Sequence, residues 1–219
     1  MSLTAGPVVL SLLAGGVGVA VGIVASAISL RLRRGAAPEV GGRRLFLALA
    51  GAAVGVWAVV SQPSIVAAGL TALLGWQLLL VALVDGEHFW LPDQLTFPLA
   101  GTGLTAAAIL DRLAMSDSIV GAAAGFGGLW ILARAYRVLR GREGLGGGDP
   151  FLLAAGGAWT GWVGLPSVLL WAAAAGLSVA AARLVTGGRV TASDRLPFGV
   201  FLAVGIWLTW LWGPLGLPN

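Results

Sequence analysis

Apolar runs of bilayer-crossing length, separated by short polar stretches, constrain this chain more than any single residue does. A helix needs about 20 consecutive apolar residues to cross the hydrocarbon core. Eight stretches approach that length: 7–30, 45–61, 64–84, 94–110, 117–135, 150–163, 166–182 and 196–213. The sixth is short, and short spans are tolerated where they are buried in protein or line a wet cavity. The chain is 58% hydrophobic and only 10% charged, whereas soluble domains carry about 25% charged residues. The expected fold is all-α, a polytopic membrane helical bundle of about eight spans forming a single integral membrane domain over 1–219. Residues 1–62 would supply two spans and 63–213 the other six. The longest loop, of about 13 residues, is too short for a separate domain.

Charge sets the expected orientation. All 13 basic residues are Arg. Arg31, Arg33, Arg34, Arg43 and Arg44 fall between spans one and two, and Arg134, Arg137, Arg140 and Arg142 fall before span six. Arg183, Arg189 and Arg195 fall between spans seven and eight. With eight alternating spans these clusters share one side, and Arg112 alone lies on the other. The positive-inside rule makes the Arg-rich side cytoplasmic and puts both termini outside. No basic region precedes the first apolar run, which therefore reads as a span rather than a cleaved signal peptide.

Several function classes drop out. Short basic loops do not make the basic face that a nucleic-acid binder needs. The absence of cysteine excludes disulfides and thiolate metal sites, and the single His88 cannot build a zinc site without several carboxylate partners. Neither a metal nor a cofactor is expected. Trp57, Trp90, Trp162, Trp210 and Trp212 sit near span ends, as an interfacial aromatic belt would place them. Gly18/Gly22, Gly51/Gly55, Gly121/Gly125 and Gly157/Gly161 are spaced for close helix packing in lipid.

Two carboxylates stand apart from this background. Asp149 follows Gly146-Gly147-Gly148 and precedes Pro150 at the start of span six. Asp is a good N-cap and Pro a good first helical residue, so a capping role competes with a chemical one. Asp85 closes the apolar run Leu79 to Val84, at a helix C-terminus that disfavours negative charge. Ionisable groups at the edge of the membrane core are functional candidates, although a solvated, Arg-paired Asp85 is the alternative. The topology puts both carboxylates in one leaflet. Facing each other, they could share a proton, one acting as general base on water and the other as general acid. Among nearby acids, Asp93 is placed to cap span four, while Glu87 and His88 read as loop polars. Asp111, Asp117 and Asp194 look solvated.

These residues resemble a known family. Val84-Asp85 with Pro92-Asp93-Gln94-Leu95-Thr96 is similar to the first motif of type IV prepilin peptidases. Gly141 to Asp149, ending in Gly146-Gly147-Gly148-Asp149, is similar to the second, which ends in G-x-G-D. The stretch Leu152 to Trp162 and Pro197-Phe198-Gly199 also fit. The likeness covers roughly residues 64–210. It implies an aspartyl endopeptidase of the inner membrane, with Asp85 and Asp149 catalytic and Gly146 and Gly148 in the active-site loop. The substrate would be a prepilin or pseudopilin with a basic leader and an apolar helix, cut at the cytoplasmic face. Lipid headgroups, Glu87, Asp93 and Glu143 are the expected partners of the leader, and the glycine turn would let the peptide backbone approach closely.

The chain departs from the family twice. The loop between spans one and two is short and lacks the four-cysteine insertion of many members, so N-methylation of the new terminus is expected to be absent. Phe151 also stands where the family usually has Lys. A non-catalytic membrane component that uses Phe151 for packing is one alternative. A small transporter with Asp85 and Asp149 as an ion site is another, although neither carboxylate falls at mid-membrane.

Overall fold

The structure, a computed structural model, describes residues 5–32, 41–141, 146–186 and 197–216. Arg33, Arg34, Arg142, Glu143, Arg189, Asp194 and Arg195 lie outside the described residues. Every described element is a helix: α1 (Ala5–Leu32), α2 (Gly41–Ser61), α3 (Ile65–His88), α4 (Asp93–Ile109), α5 (Met115–Arg140), α6 (Asp149–Val185) and α7 (Phe198–Trp212). The all-α expectation holds among these residues. Five of the helices (α1, α2, α3, α5 and α6) are long and apolar enough to cross a membrane, while α7 is a shorter apolar helix.

The chain divides into two compact units, residues 1–83 and 84–219. In the first, α1 and α2 pack antiparallel through glycines. A Cβ at Gly18 would collide with the Gly51 carbonyl, one at Gly22 with the Leu47 carbonyl, and one at Gly55 with the Ala14 carbonyl. The Trp76 indole N–H donates to the Gly51 carbonyl at 3.0 Å.

The second unit comprises the last turn of α3 and helices α4 to α7, with α6 packed against α4, α5 and α7. Again glycines permit the approach: a Cβ at Gly121 would strike the Gly157 carbonyl, and one at Gly125 the Leu153 carbonyl. The four glycine pairs singled out from the sequence all supply residues to these contacts. Lipid tails are as apolar as the helices, so backbone-close van der Waals contact replaces the hydrophobic drive between helices.

α6 is two helices in one run. Gly161 has φ 68° and ψ 174°, outside the helical region, a left-handed backbone that glycine adopts without a steric penalty. The contacts of α7 show what this does. Ile206 meets Gly156 and Trp210 meets Trp159, so α7 runs parallel to the first half. Phe201 meets Gly176, Gly205 meets the Val168 carbonyl, and Thr209 meets Gly164, so α7 runs antiparallel to the second half. The two halves are therefore antiparallel, and the chain reverses at Gly161. Residues 149–160 rise only about 18 Å, in line with the short sixth stretch. The reversal falls at Gly161 rather than between 163 and 166, and Pro166 lies in the opening turns of the second half, where Pro is better tolerated than deep in a helix.

At the centre of this unit Trp159 is 1% exposed. Its indole N–H donates to the Leu99 carbonyl at 2.9 Å, and its ring stands edge-on to Trp210 at 5.0 Å. Trp210 is therefore a core residue rather than part of an interfacial belt. It also carries the Arg112 guanidinium over its ring at 4.6 Å. Trp57, Trp90, Trp162 and Trp212 are exposed.

Enlarging a glycine at the α5–α6 contact should separate the two helices. Gly157→Leu is expected to cost about 3 kcal/mol or more. Gly128→Ala, on the same α5 but with nothing within 4 Å of the added methyl, should be neutral or stabilise by up to about 1 kcal/mol. Unfolding of the purified protein in detergent distinguishes them, and equal losses would mean that the glycine contact does not hold the pair together.

Candidate active site

Asp85 lies in the last turn of α3. Its carbonyl accepts the Phe89 N–H at 2.8 Å, and Phe89 closes the helix with φ 52°, a left-handed position more often held by Gly. The side chain is 5% exposed. A buried carboxylate at a helix C-terminus needs donors from elsewhere, and α7 supplies them: Asp85 Oδ2 accepts the Val200 N–H at 3.1 Å. The N-cap of α7 is Pro197, with no side-chain cap of its own, so Asp85 acts as a distant cap. The positive end of one helix offsets the negative end of another.

This contact requires glycine at 199. A Cβ there would lie 2.8 Å from Asp85 Oδ2 and 2.9 Å from Leu91 Cδ1. The Pro197-Phe198-Gly199 stretch thus bears on the site through a missing side chain and a neighbouring backbone N–H.

Asp149 is the first helical residue of α6, after Gly148 at the N-cap, and Pro150 follows. The capping reading is corrected by one position: the side chain makes no forward cap bond. It turns back instead, and Oδ2 accepts the Gly146 N–H at 2.9 Å. Asp149 is 4% exposed. The backbone beside each carboxylate meets the same residue: a Cβ on Gly148 or on Gly199 would collide with Leu91.

The three glycines before Asp149 differ. A Cβ at Gly146 would face the Asp149 carboxyl, and one at Gly148 would sit 2.6 Å from Leu91 Cβ. Only at Gly147 is there nothing within 4 Å, so the open space beside the turn lies there and not at Gly148. Beside the turn lies a groove of about 250 Å³, lined by Gly146, Gly147, Pro150, Phe151, Phe126, Trp130, Ala133, Arg134 and Arg137. Phe151 packs against Phe126 at 5.0 Å and Phe97 at 5.7 Å, joining α4, α5 and α6. Nothing in the sequence linked Phe126, Trp130 or these arginines to Asp149, because their contact depends on how α5 and α6 cross.

The secondary candidates fare differently. Asp93 is exposed and is the first residue of α4, with Pro92 at the N-cap and no side-chain cap bond. The expected cap is thus absent, and the acid faces the helix dipole only from its first turn. Glu87 and His88 lie in the last turn of α3 rather than in a loop, and His88 Nε2 is buried without a hydrogen-bond partner. Glu143 lies outside the described residues. Among the described residues no three of His, Cys, Asp and Glu are grouped to hold a metal ion.

Residues 72–181, just over half of the chain, match the type IV leader peptidase family (Peptidase_A24). Three proteins named prepilin leader peptidase/N-methyltransferase are similar. The one from Aeromonas hydrophila is 40% identical over 141 residues, 64% of this chain and 48% of its own length. That from Dichelobacter nodosus is 35% identical over 179 residues, 82% of this chain and 61% of its own. That from Pseudomonas aeruginosa is 38% identical over 148 residues, 67% and 50% of the two chains. The chain thus spans about half the length of the curated relatives it matches. No solved structure matches it. With two buried aspartates, a glycine turn before the second, and this match across residues 72–181, the chain belongs to the type IV leader peptidase family.

Proposed function

We propose that this protein is an aspartyl endopeptidase of the cytoplasmic membrane that removes the leader from prepilins or pseudopilins. The observation that carries the reading is the pair Asp85 and Asp149. Both are buried, each is held by a backbone N–H, and both fall within residues 72–181, which match the type IV leader peptidase family.

The chemistry follows from two neighbouring carboxyls with unequal protonation. The ionised one takes a proton from water, whose oxygen attacks the scissile carbonyl carbon. The protonated one stabilises the developing oxyanion and then gives its proton to the leaving amine as the C–N bond breaks. The leader leaves with a new carboxylate and the mature chain with a new amino terminus. Backbone N–H groups suit the task of orienting the carboxyls, because they do not change rotamer or protonation state. Phe151 serves packing in an aromatic cluster, so the missing Lys does not leave a gap beside Asp149.

The arginines support a cytoplasmic site. Arg137 and Arg140 lie in the last turn of α5, which leads to the glycine turn, and Arg183 lies in the last turn of α6. The positive-inside rule assigns that end to the cytoplasm, with the termini outside. Arg134 and Arg137 line the groove beside Asp149 and would repel a basic leader. The leader instead lies toward exposed Asp93 and the anionic headgroups that attract Lys and Arg, while the apolar part of the substrate stays in the bilayer.

Asp85→Asn and Asp149→Asn should each reduce cleavage of a coexpressed prepilin by ~10³-fold or more while the protein stays in the membrane. Asp93→Asn should retain cleavage and lose less than about 1 kcal/mol of stability. A gel-shift assay of leader removal decides, and cleavage surviving either of the first two changes would falsify the dyad.

The relatives' names carry a second activity, N-methyltransfer. We propose that this chain lacks it, since it has no cysteine and no four-cysteine insertion between its first two helices. Mass spectrometry of the processed substrate should find an unmodified amino terminus. A single added methyl that depends on this protein would overturn the proposal.

A further inference from the structure

The connection from α3 to α4 exposes two aromatic residues and then buries the two that follow, Leu91 and Pro92. Phe89 and Trp90 are 48% and 59% exposed, yet Leu91 is 5% exposed. The connection is short and pinned at both ends, by the Phe89 N–H on the Asp85 carbonyl and by Pro92 at the N-cap of α4. The left-handed turn at Phe89 redirects the chain there.

Leu91 fills the space that side chains at two glycines would otherwise take. A Cβ on Gly148 would lie 2.6 Å from Leu91 Cβ and 2.9 Å from its carbonyl oxygen. A Cβ on Gly199 would lie 2.9 Å from Leu91 Cδ1. Gly148 is joined to Asp149, and Gly199 to Val200, whose N–H holds Asp85. One leucine thus touches the backbone beside each carboxylate, with no side chain intervening on either side. At close-packed density such contacts transmit position, because there is no slack to absorb a shift.

We propose that Leu91 is a positioning residue, a wedge between Gly148 and Gly199 that fixes the separation of the Asp85 and Asp149 carboxyls. The functional part of this inference rests on the peptidase reading; the packing part does not. Shortening Leu91 lets the starts of α6 and α7 move relative to each other, so the carboxyls lose their spacing although neither is changed. Substrate binding elsewhere is untouched, so the loss belongs to turnover rather than affinity. A volume-conserving replacement keeps the wedge.

The test uses the full chain in detergent or nanodiscs with a prepilin substrate. Leu91→Ala should lower kcat by roughly 10- to 100-fold, the scale of a misplacement near 1 Å, with KM changed less than about twofold. Leu91→Met should restore most of the rate. Leu99→Ala removes a fully buried leucine of α4; it should lower thermal stability and leave kcat near wild type. Wild-type kcat in Leu91→Ala, or an equal kcat loss in Leu99→Ala, overturns the proposal. A double-mutant cycle on Tm is independent of activity. Gly199→Ala should lower Tm less in the Leu91→Ala background than in wild type, because Leu91 Cδ1 is then gone, and additive shifts overturn the wedge. Should the wild type fail to cleave, or cleave without Asp85 or Asp149, the peptidase reading fails while the Tm cycle still decides the packing claim.

Discussion

Apolar helices in an apolar solvent gain little by touching, and that constraint shapes everything else in this chain. What holds α5 to α6 is the absence of side chains at Gly121, Gly125 and Gly157, which lets backbones meet. What holds α4 to α6 includes the Trp159 N–H on the Leu99 carbonyl and the Phe97–Phe151 ring contact. Ser118 adds a buried hydroxyl donor to the Ala158 carbonyl at 2.8 Å. Few polar groups are available, and the buried Ser118 hydroxyl and Trp159 indole each join a particular pair of helices.

The carboxylates follow the same economy. Burying an acid away from water is costly unless donors replace the lost solvent. Asp85 finds its donor at the start of α7, 115 residues away. Asp149 finds its own within the glycine turn. The two solutions differ in reach, one tertiary and one local. Asp85 therefore links the end of α3 to the start of α7, and a change at either end is felt at the carboxyl. The reversal at Gly161 contributes to this arrangement, since it lets α7 lie along both halves of α6 with its N-terminus beside Asp85.

The resemblance to the family leads to an expectation of Lys at position 151, and Phe151 serves packing there instead. Here the residue completes an aromatic contact among three helices and lines the groove beside Asp149. The groove combines those rings with Arg134 and Arg137, so charge remains near the turn although residue 151 carries none.

Sequence alone determined what depends on composition and short spacing. The apolar runs located the helices, the glycine pairs marked where helices touch, and Asp85 and Asp149 stood out because an acid beside an apolar run is costly. The G-x-G-D turn pointed to the family, which residues 72–181 match. Tertiary structure decided what depends on partners distant in the chain. It moved the N-caps to Pro92 and Gly148, because backbone geometry rather than residue type selects the capping position. It placed Trp210 in the core, turned α6 back at Gly161, and seated Leu91 between Gly148 and Gly199. A leucine in a loop and a glycine before a helix carry no local signal of that contact. It exists only once three chain segments converge, and their convergence is a property of packing rather than of any one stretch.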